Sequence, residues 1–213
     1  MAESSELNDP ALVPASVVRD EVVSAVLEFL EASLHQILHS RSIYSSALFE
    51  RRRLYSTVVQ AARHPGLVKY IQGVIQSLKG ALLASELDKV VIALNTDQGT
   101  LVEQFVFDMP MVLVNMSSED VAELEPLFRS TLLKLQNCSA LLEPIPAGCT
   151  FEIWAECQSG DPLPAQAWVQ QQPPECEHRI IPIKSGHLTS GHLDLQVKST
   201  SNGRLASSSI MVH

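Results

Sequence analysis

Cysteines, histidines and a scatter of carboxylates are the groups in this chain that could hold a metal or move a proton. Cys157, Cys176 and His178 come nearest to a ligand set, giving a metal-binding alternative. Zinc sites, however, are usually built on tighter local pairs, and no CxxC occurs. Cys138, Cys149, Cys157 and Cys176 therefore read as reduced thiols, small side chains suited to burial. His35 and His39 stand four apart, which on a helix can turn two imidazoles toward one ion. Gln36 stands where HExxH requires Glu, so the pair reads as two unrelated surface histidines. Glu119, Asp120, Glu123 and Glu125 gather at an expected helix start, where they complement its dipole rather than supply acid-base chemistry. There is no GxxxxGK[ST], GxGxxG or GxSxG sequence, so nothing nominates a cofactor or a nucleophile. An enzyme with a dispersed site is the alternative; a binding or scaffold role is the reading.

Recognition chemistry is a different matter. Tyr70, in "ARHPGLVKYIQGVIQ", and Trp168, in a proline-rich stretch, offer large contact area at small rotamer cost. Tyr70 could equally fill a core from its helix stripe, whereas Trp168 has little local core to enter. Formal net charge is −9, which repels phosphate and argues against direct nucleic-acid binding. Arg51, Arg52 and Arg53, with Arg41 and Arg63, form one basic island, read as a solvated edge; an acidic partner surface or an import signal are the lesser readings. No apolar run is long enough to cross a bilayer, and MAESSELNDP lacks a basic region followed by an apolar one. The chain reads as soluble and intracellular, with no membrane partner.

The elements that must position these groups follow from periodicity. With 213 residues and 46% hydrophobic composition, the chain can build a real core. Residues 1–16 read as a disordered tail and 199–213 as a flexible one. Val22, Val26, Phe29, Leu30, Leu34, Ile37 and Leu38 predict a helix over 18–40. Thr57-Val58-Val59 predicts a short strand after an irregular link from Tyr44. Pro65 opens a second helix through Leu82, with Gly73 inside it as a point of close approach by a neighbour. DKVVIAL and LVEQFVF predict a hairpin around NTDQGT. A third helix starts at Ser117 with a capping-box pattern, and Pro126 either kinks it or delays its regular part to about Glu125. Strands are expected at Thr150–Glu156, 179–184 and 192–198, the first two separated by an irregular excursion. Three helices and several strands without regular alternation make an α+β fold.

Taken in order, "EFLEASLHQIL", "FERRRLYSTVVQ", "RHPGLVKYI", "DKVVIAL", "VEQFVFDM", "LFRSTLLKL", "GCTFEI" and "RIIPIK" resemble the HORMA-domain accessory subunits of translesion DNA polymerase zeta, relatives of the spindle-checkpoint HORMA protein. The resemblance implies a HORMA domain over 17–198, three helices on a mainly antiparallel sheet, with 158–198 as a mobile safety belt. It further implies an adaptor without enzymatic activity or cofactor in the DNA damage response. In that family the belt closes over a peptide of the polymerase zeta catalytic subunit, a second surface holds the C-terminal domain of the Rev-type deoxycytidyl transferase, and a remodelling AAA ATPase assists exchange. Carried over by position, Tyr70 and Trp168 match the peptide clasp. Ile180 and Gln196 match the transferase-facing surface, with Lys198 where the family has tyrosine. Arg129 matches a self-association surface, which implies a homodimer or a HORMA heterodimer. Nuclear residence, with some cytoplasmic presence, follows from the same resemblance. A spindle-checkpoint or meiotic HORMA adaptor is the alternative within the fold.

Overall fold

The computed structural model describes residues 15–111, 118–158, 163–165, 168–169, 179–188 and 191–199. The tails expected at 1–16 and 199–213 lie almost wholly outside the described residues, as do Cys176, His178 and Ser117. Helix α1 runs Ala15–Ser40, β1 Phe49–Leu54, β2 Thr57–Ala62 and α2 Pro65–Ser77. A short helix, α3, spans Lys79–Leu83; β3 covers Leu87–Asn95, β4 Leu101–Asp108 and α4 Ser118–Gln136. Strands β5 (Thr150–Cys157), β6 (Arg179–Leu188) and β7 (Gly191–Ser199) complete the described elements.

The strands form two sheets, a β1-β2 hairpin and a five-stranded antiparallel sheet of order β5-β3-β4-β7-β6. Three long helices cover one face of the larger sheet. Phe29 of α1 shows why they hold together: it stacks on Phe128 of α4 at 4.2 Å and meets Phe107 of β4 edge-on at 6.0 Å. All three rings are fully buried, each contributing a large apolar area to one centre. Val90, Ile92, Leu94, Phe105, Leu195 and Val197 supply the floor beneath them.

Several expectations are corrected. The segment before Thr57 is a second strand, β1, and Tyr55-Ser56 turn the hairpin with φ of 45° and 56°. Two positive φ values suit such a hairpin but are costly for side-chain-bearing residues. Tertiary contacts hold them: the Tyr55 hydroxyl lies 3.0 Å from the Ala25 carbonyl and its ring 5.6 Å from Phe128. The second helix breaks at Leu78 into α2 and α3. A Cβ placed on Gly73 would meet nothing within 4 Å, so among the described residues no neighbour approaches closely there. Helix α4 continues through Pro126, which lies on its exposed side, where water can reach the Ala122 carbonyl left without a donor.

Arg41 leaves the basic island altogether. Its side chain is 4% exposed, and its Nε and Nη2 donate to the two oxygens of Glu103 at 2.9 and 2.8 Å. Nη2 also donates to the Glu143 carbonyl at 2.5 Å, so one guanidinium ties the end of α1 to β4 and to the connection feeding β5. Burial pushes the Glu103 carboxyl above its ordinary range while Arg41 draws it back. His35 is likewise no surface residue: it is buried, and Nδ1 accepts the Ala62 amide at 3.3 Å. Its other nitrogen faces Glu31 at 3.8 Å, so the imidazole ties α1 to β2, and His39 packs edge-on against Phe49.

Candidate functional site

Helix α2 is the platform. His64 caps its start, Nδ1 accepting the Leu67 amide at 3.4 Å, and Pro65 occupies the first turn. Ile71 and Ile75 face the core, which leaves Tyr70 on the open side, 50% exposed. Tyr70 is therefore not core filling. Its ring meets Phe151 of β5 edge-on at 5.9 Å, and Phe151 in turn meets Tyr44 at 6.3 Å. These three rings, with Leu48, His64 and Leu67, line a pocket of about 440 Å³. Partial burial first, then Glu152 nearby, raise the Tyr70 hydroxyl pKa, so the ring presents a neutral phenol.

Trp168 reaches the same helix. Its indole nitrogen donates to Ser77 Oγ at 2.8 Å, and Ser77 Oγ donates onward to the Val74 carbonyl at 2.6 Å. Ser77 follows Tyr70 by seven residues, two helical turns, which places both on one side of α2 roughly 10 Å apart along its axis. Contrary to the sequence expectation, Trp168 does find a core, packing partly buried against the central cluster. Gly73 and Val74 lie between the two aromatic positions, leaving a low stretch of helix surface.

Beside this platform runs β5, the end strand of the sheet, whose other edge pairs with β3. No other described residue pairs with its outer edge. An end strand carries backbone donors and acceptors ready for another chain. The arrangement is a trough on α2 with an aromatic pocket at one end, where Phe151 brings in the edge strand, and a hydrogen-bonded indole at the other.

The second group of candidate residues lies on the sheet face turned away from the helices. Ile180 of β6 and Lys198 of β7 are direct cross-strand partners, and Gln196 is two residues from Lys198 on the same face. Ile180 is 57% exposed. Arg129 is exposed on α4, with Leu133, 40% exposed, one turn further on. None of these four candidate residues lines the pocket or shares a described contact with Tyr70 or Trp168. Cys138, Cys149 and Cys157 are free thiols, and burial pushes Cys138 up to about 11. No group of three His, Cys, Asp or Glu side chains able to hold a metal occurs among the described residues; the set with Cys176 and His178 lies outside them. No described helix is long and apolar enough to cross a membrane.

Sequence reasoning missed the partners of the named aromatics. Tyr44 and Phe151 lie far apart along the chain, and the signal available was the alternation of β5, which turns Phe151 and Ile153 to one face.

A protein-family model described as the HORMA domain matches residues 22–130, a little over half of the chain. The Danio rerio "Mitotic spindle assembly checkpoint protein MAD2B" is 32% identical over 191 residues, spanning 83% of this chain and 90% of that protein. The Arabidopsis thaliana "DNA polymerase zeta processivity subunit" is 30% identical over 187 residues, spanning 83% and 84%. Among solved structures, a chain of the mitotic checkpoint complex superposes with a TM-score of 0.76 at 20% identity, covering 84% of this chain and 98% of that one. C. elegans HTP-2 bound to the HIM-3 closure motif superposes at 0.67 with 11% identity, covering 85% and 91%. With the family model matching more than half its length, and relatives at 30% identity or above along most of theirs, this chain belongs to the HORMA-domain family, in the group of the MAD2B proteins and polymerase zeta processivity subunits.

Proposed function

We propose that the chain is a non-catalytic adaptor that captures an extended peptide as an added strand along the outer edge of β5. The observation that carries this reading is the convergence of Tyr70 and Trp168 on one side of α2, beside a strand edge without a described partner. Backbone pairing would supply affinity, and the pocket of Tyr44, Tyr70 and Phe151 would select an apolar or proline side chain. Residues 158–198 act as the belt, with residues 17–198 as the working domain and Trp168 as its fastening on α2. The peptide comes from the catalytic subunit of DNA polymerase zeta, which the name of the Arabidopsis relative supports. The face bearing Ile180, Gln196 and Lys198 receives the Rev-type deoxycytidyl transferase, and Arg129 serves self-association or pairing with another HORMA domain. Such a protein works in the nucleus, in tolerance of DNA damage, with a remodelling AAA ATPase assisting release.

The checkpoint wording in the name of the Danio relative favours a second reading, capture of a spindle-checkpoint activator. Affinity capture with the full chain separates them, using the polymerase zeta catalytic subunit and a checkpoint activator as competing baits. Recovery of the first, lost on Tyr70→Ala with Trp168→Ala while the circular dichroism spectrum is unchanged, supports the primary reading. Preference for the activator replaces it with the second, and recovery that survives both substitutions removes the site.

A further inference from the structure

We infer that Ser56, at the tip of the β1-β2 hairpin, is a phosphorylation site for a basophilic serine/threonine kinase. Such kinases choose substrates largely by charge pattern, seating arginines that precede the acceptor in acidic pockets of their own. Arg53 and Arg51 stand three and five residues before Ser56, and no other serine or threonine of the sequence has arginine at both places. In a chain with a net charge of −9, three consecutive arginines run against the overall composition. None of them lines the pocket on α2.

The fold leaves each part of this pattern open. Ser56 is exposed and, with Tyr55, makes the two-residue turn between paired Leu54 and Thr57. Arg51, Arg52 and Arg53 are all exposed on β1, whose outer edge pairs with no other described strand. Alternation along the strand divides the three. Arg52 shares a face with Glu50 and is answered by it at 2.8 Å. Arg51 and Arg53 share the opposite face, roughly 7 Å apart. Neither has an ion pair among the described residues. The two guanidiniums at the spacing a kinase reads are therefore the two left uncommitted.

Backbone strain adds to the case. Both turn residues have positive φ, 45° and 56°, which costs energy in residues that carry a Cβ. Drawing the tip into an extended substrate conformation relieves that strain, and the anchor to be displaced is Tyr55, held by Ala25 and Phe128. In the transfer, Ser56 Oγ attacks the γ-phosphorus of ATP, the Oγ–P bond forms and the bond to the bridging oxygen breaks. ADP leaves, and the hydroxyl proton passes to the catalytic carboxylate of the kinase. The product adds a charge of about −1.5 to −2 at pH 7, enough to cancel Arg51 and Arg53. Glu28, 3.1 Å from the Tyr55 hydroxyl, makes the helix side of the turn unfavourable for that charge, so the free guanidiniums are its partners.

Incubating the full chain with the catalytic subunit of cAMP-dependent protein kinase, magnesium and radiolabelled ATP tests this, with mass spectrometry to locate the phosphate. The label should sit on Ser56, and Ser56→Ala should remove most of the incorporation. Arg53→Ala, an exposed change that leaves the circular dichroism spectrum intact, should slow modification of Ser56 by roughly tenfold or more, the loss of a charged hydrogen-bonding partner in the kinase. No label on the folded chain, label confined to other residues, or a rate at Ser56 indifferent to Arg53→Ala overturns the inference.

Discussion

Replacing Tyr70 by Ala should weaken peptide capture by roughly two orders of magnitude while sparing the fold. Half of the Tyr70 side chain is exposed in the free chain, and its remaining surface leans on Phe151. A tyrosine contributes about 150–250 Å² when covered, so a peptide closing over the open half removes on the order of 100 Å² from water. At about 25 cal/mol per Å² this is ~2.5 kcal/mol, or about 70-fold in Kd. Alanine is a better helix former than tyrosine, and the position is not a core one, so α2 should survive the change. Tyr70→Phe keeps the ring and should stay within about threefold, since the hydroxyl has no described hydrogen-bond partner and only the ring covers the peptide. Fluorescence anisotropy with a labelled peptide of the polymerase zeta catalytic subunit measures both variants, with thermal unfolding as the control. Binding by Tyr70→Ala within about threefold of the unaltered chain would show that the pocket is not where the peptide lies.

Other perturbations probe the frame around the trough. Arg41→Met leaves Glu103 as a buried carboxylate without its cation, which should cost about 3–5 kcal/mol in urea unfolding; adding Glu103→Leu should recover most of that loss. Gly191→Ala would set a Cβ 2.5 Å from the Pro110 carbonyl oxygen, so it should destabilise by about 1–3 kcal/mol and loosen amide exchange protection in β6 and β7 first. The Glu31 carboxyl is held below its ordinary value of 4.5, chiefly by the His35 imidazole facing it at 3.8 Å and then by the hydrogen bond from Gln72, against the opposing effect of burial. Its contribution to stability is therefore complete above that ordinary value and is lost as pH falls through the lowered one. Glu31→Gln should lower the urea midpoint at pH 7, with the gap to the unaltered chain narrowing as pH falls below 4.5; a gap that stays constant as the pH is lowered would disprove the linkage.

Periodicity revealed the large elements because burial enforces it. The stripe from Val22 to Leu38 and the alternation of β3 and β4 exist to feed one core, so they could be read without tertiary knowledge. The β1 strand could not: its four central residues, Glu50 to Arg53, are all exposed, and the Tyr55-Ser56 turn has none of the usual Asn-Gly chemistry. What stabilises that turn is the tyrosine's contact with Ala25 and Phe128, which no local pattern contains. Arg41 misled for the same reason: its nearest charge in space, Glu103, is remote in sequence, so it was counted with the exposed arginines. Tyr70 and Trp168 were singled out by resemblance, and the pocket partners Tyr44 and Phe151 emerged only from the fold.

Strand order also constrains how a guest leaves. β5 ends one side of the sheet and β6 the other, so the connection between them must cross four strand spacings, roughly 19 Å. Trp168 lies midway along that connection and is fixed to Ser77 of α2, on the helical side. A peptide on the outer edge of β5 can therefore be freed when this fastening opens, with β7 still paired to β4 and β6 to β7. Ser77→Ala removes the hydroxyl that accepts from Trp168 and donates to the Val74 carbonyl; loss of the Trp168 bond, worth about 1 kcal/mol, should raise the peptide off-rate about fivefold with the on-rate little changed. Surface plasmon resonance reads both rates, and hydrogen exchange in β7 shows whether the sheet stays closed. An off-rate that is unmoved by Ser77→Ala but rises with Gly191→Ala would mean that release runs through unzipping of the C-terminal hairpin instead.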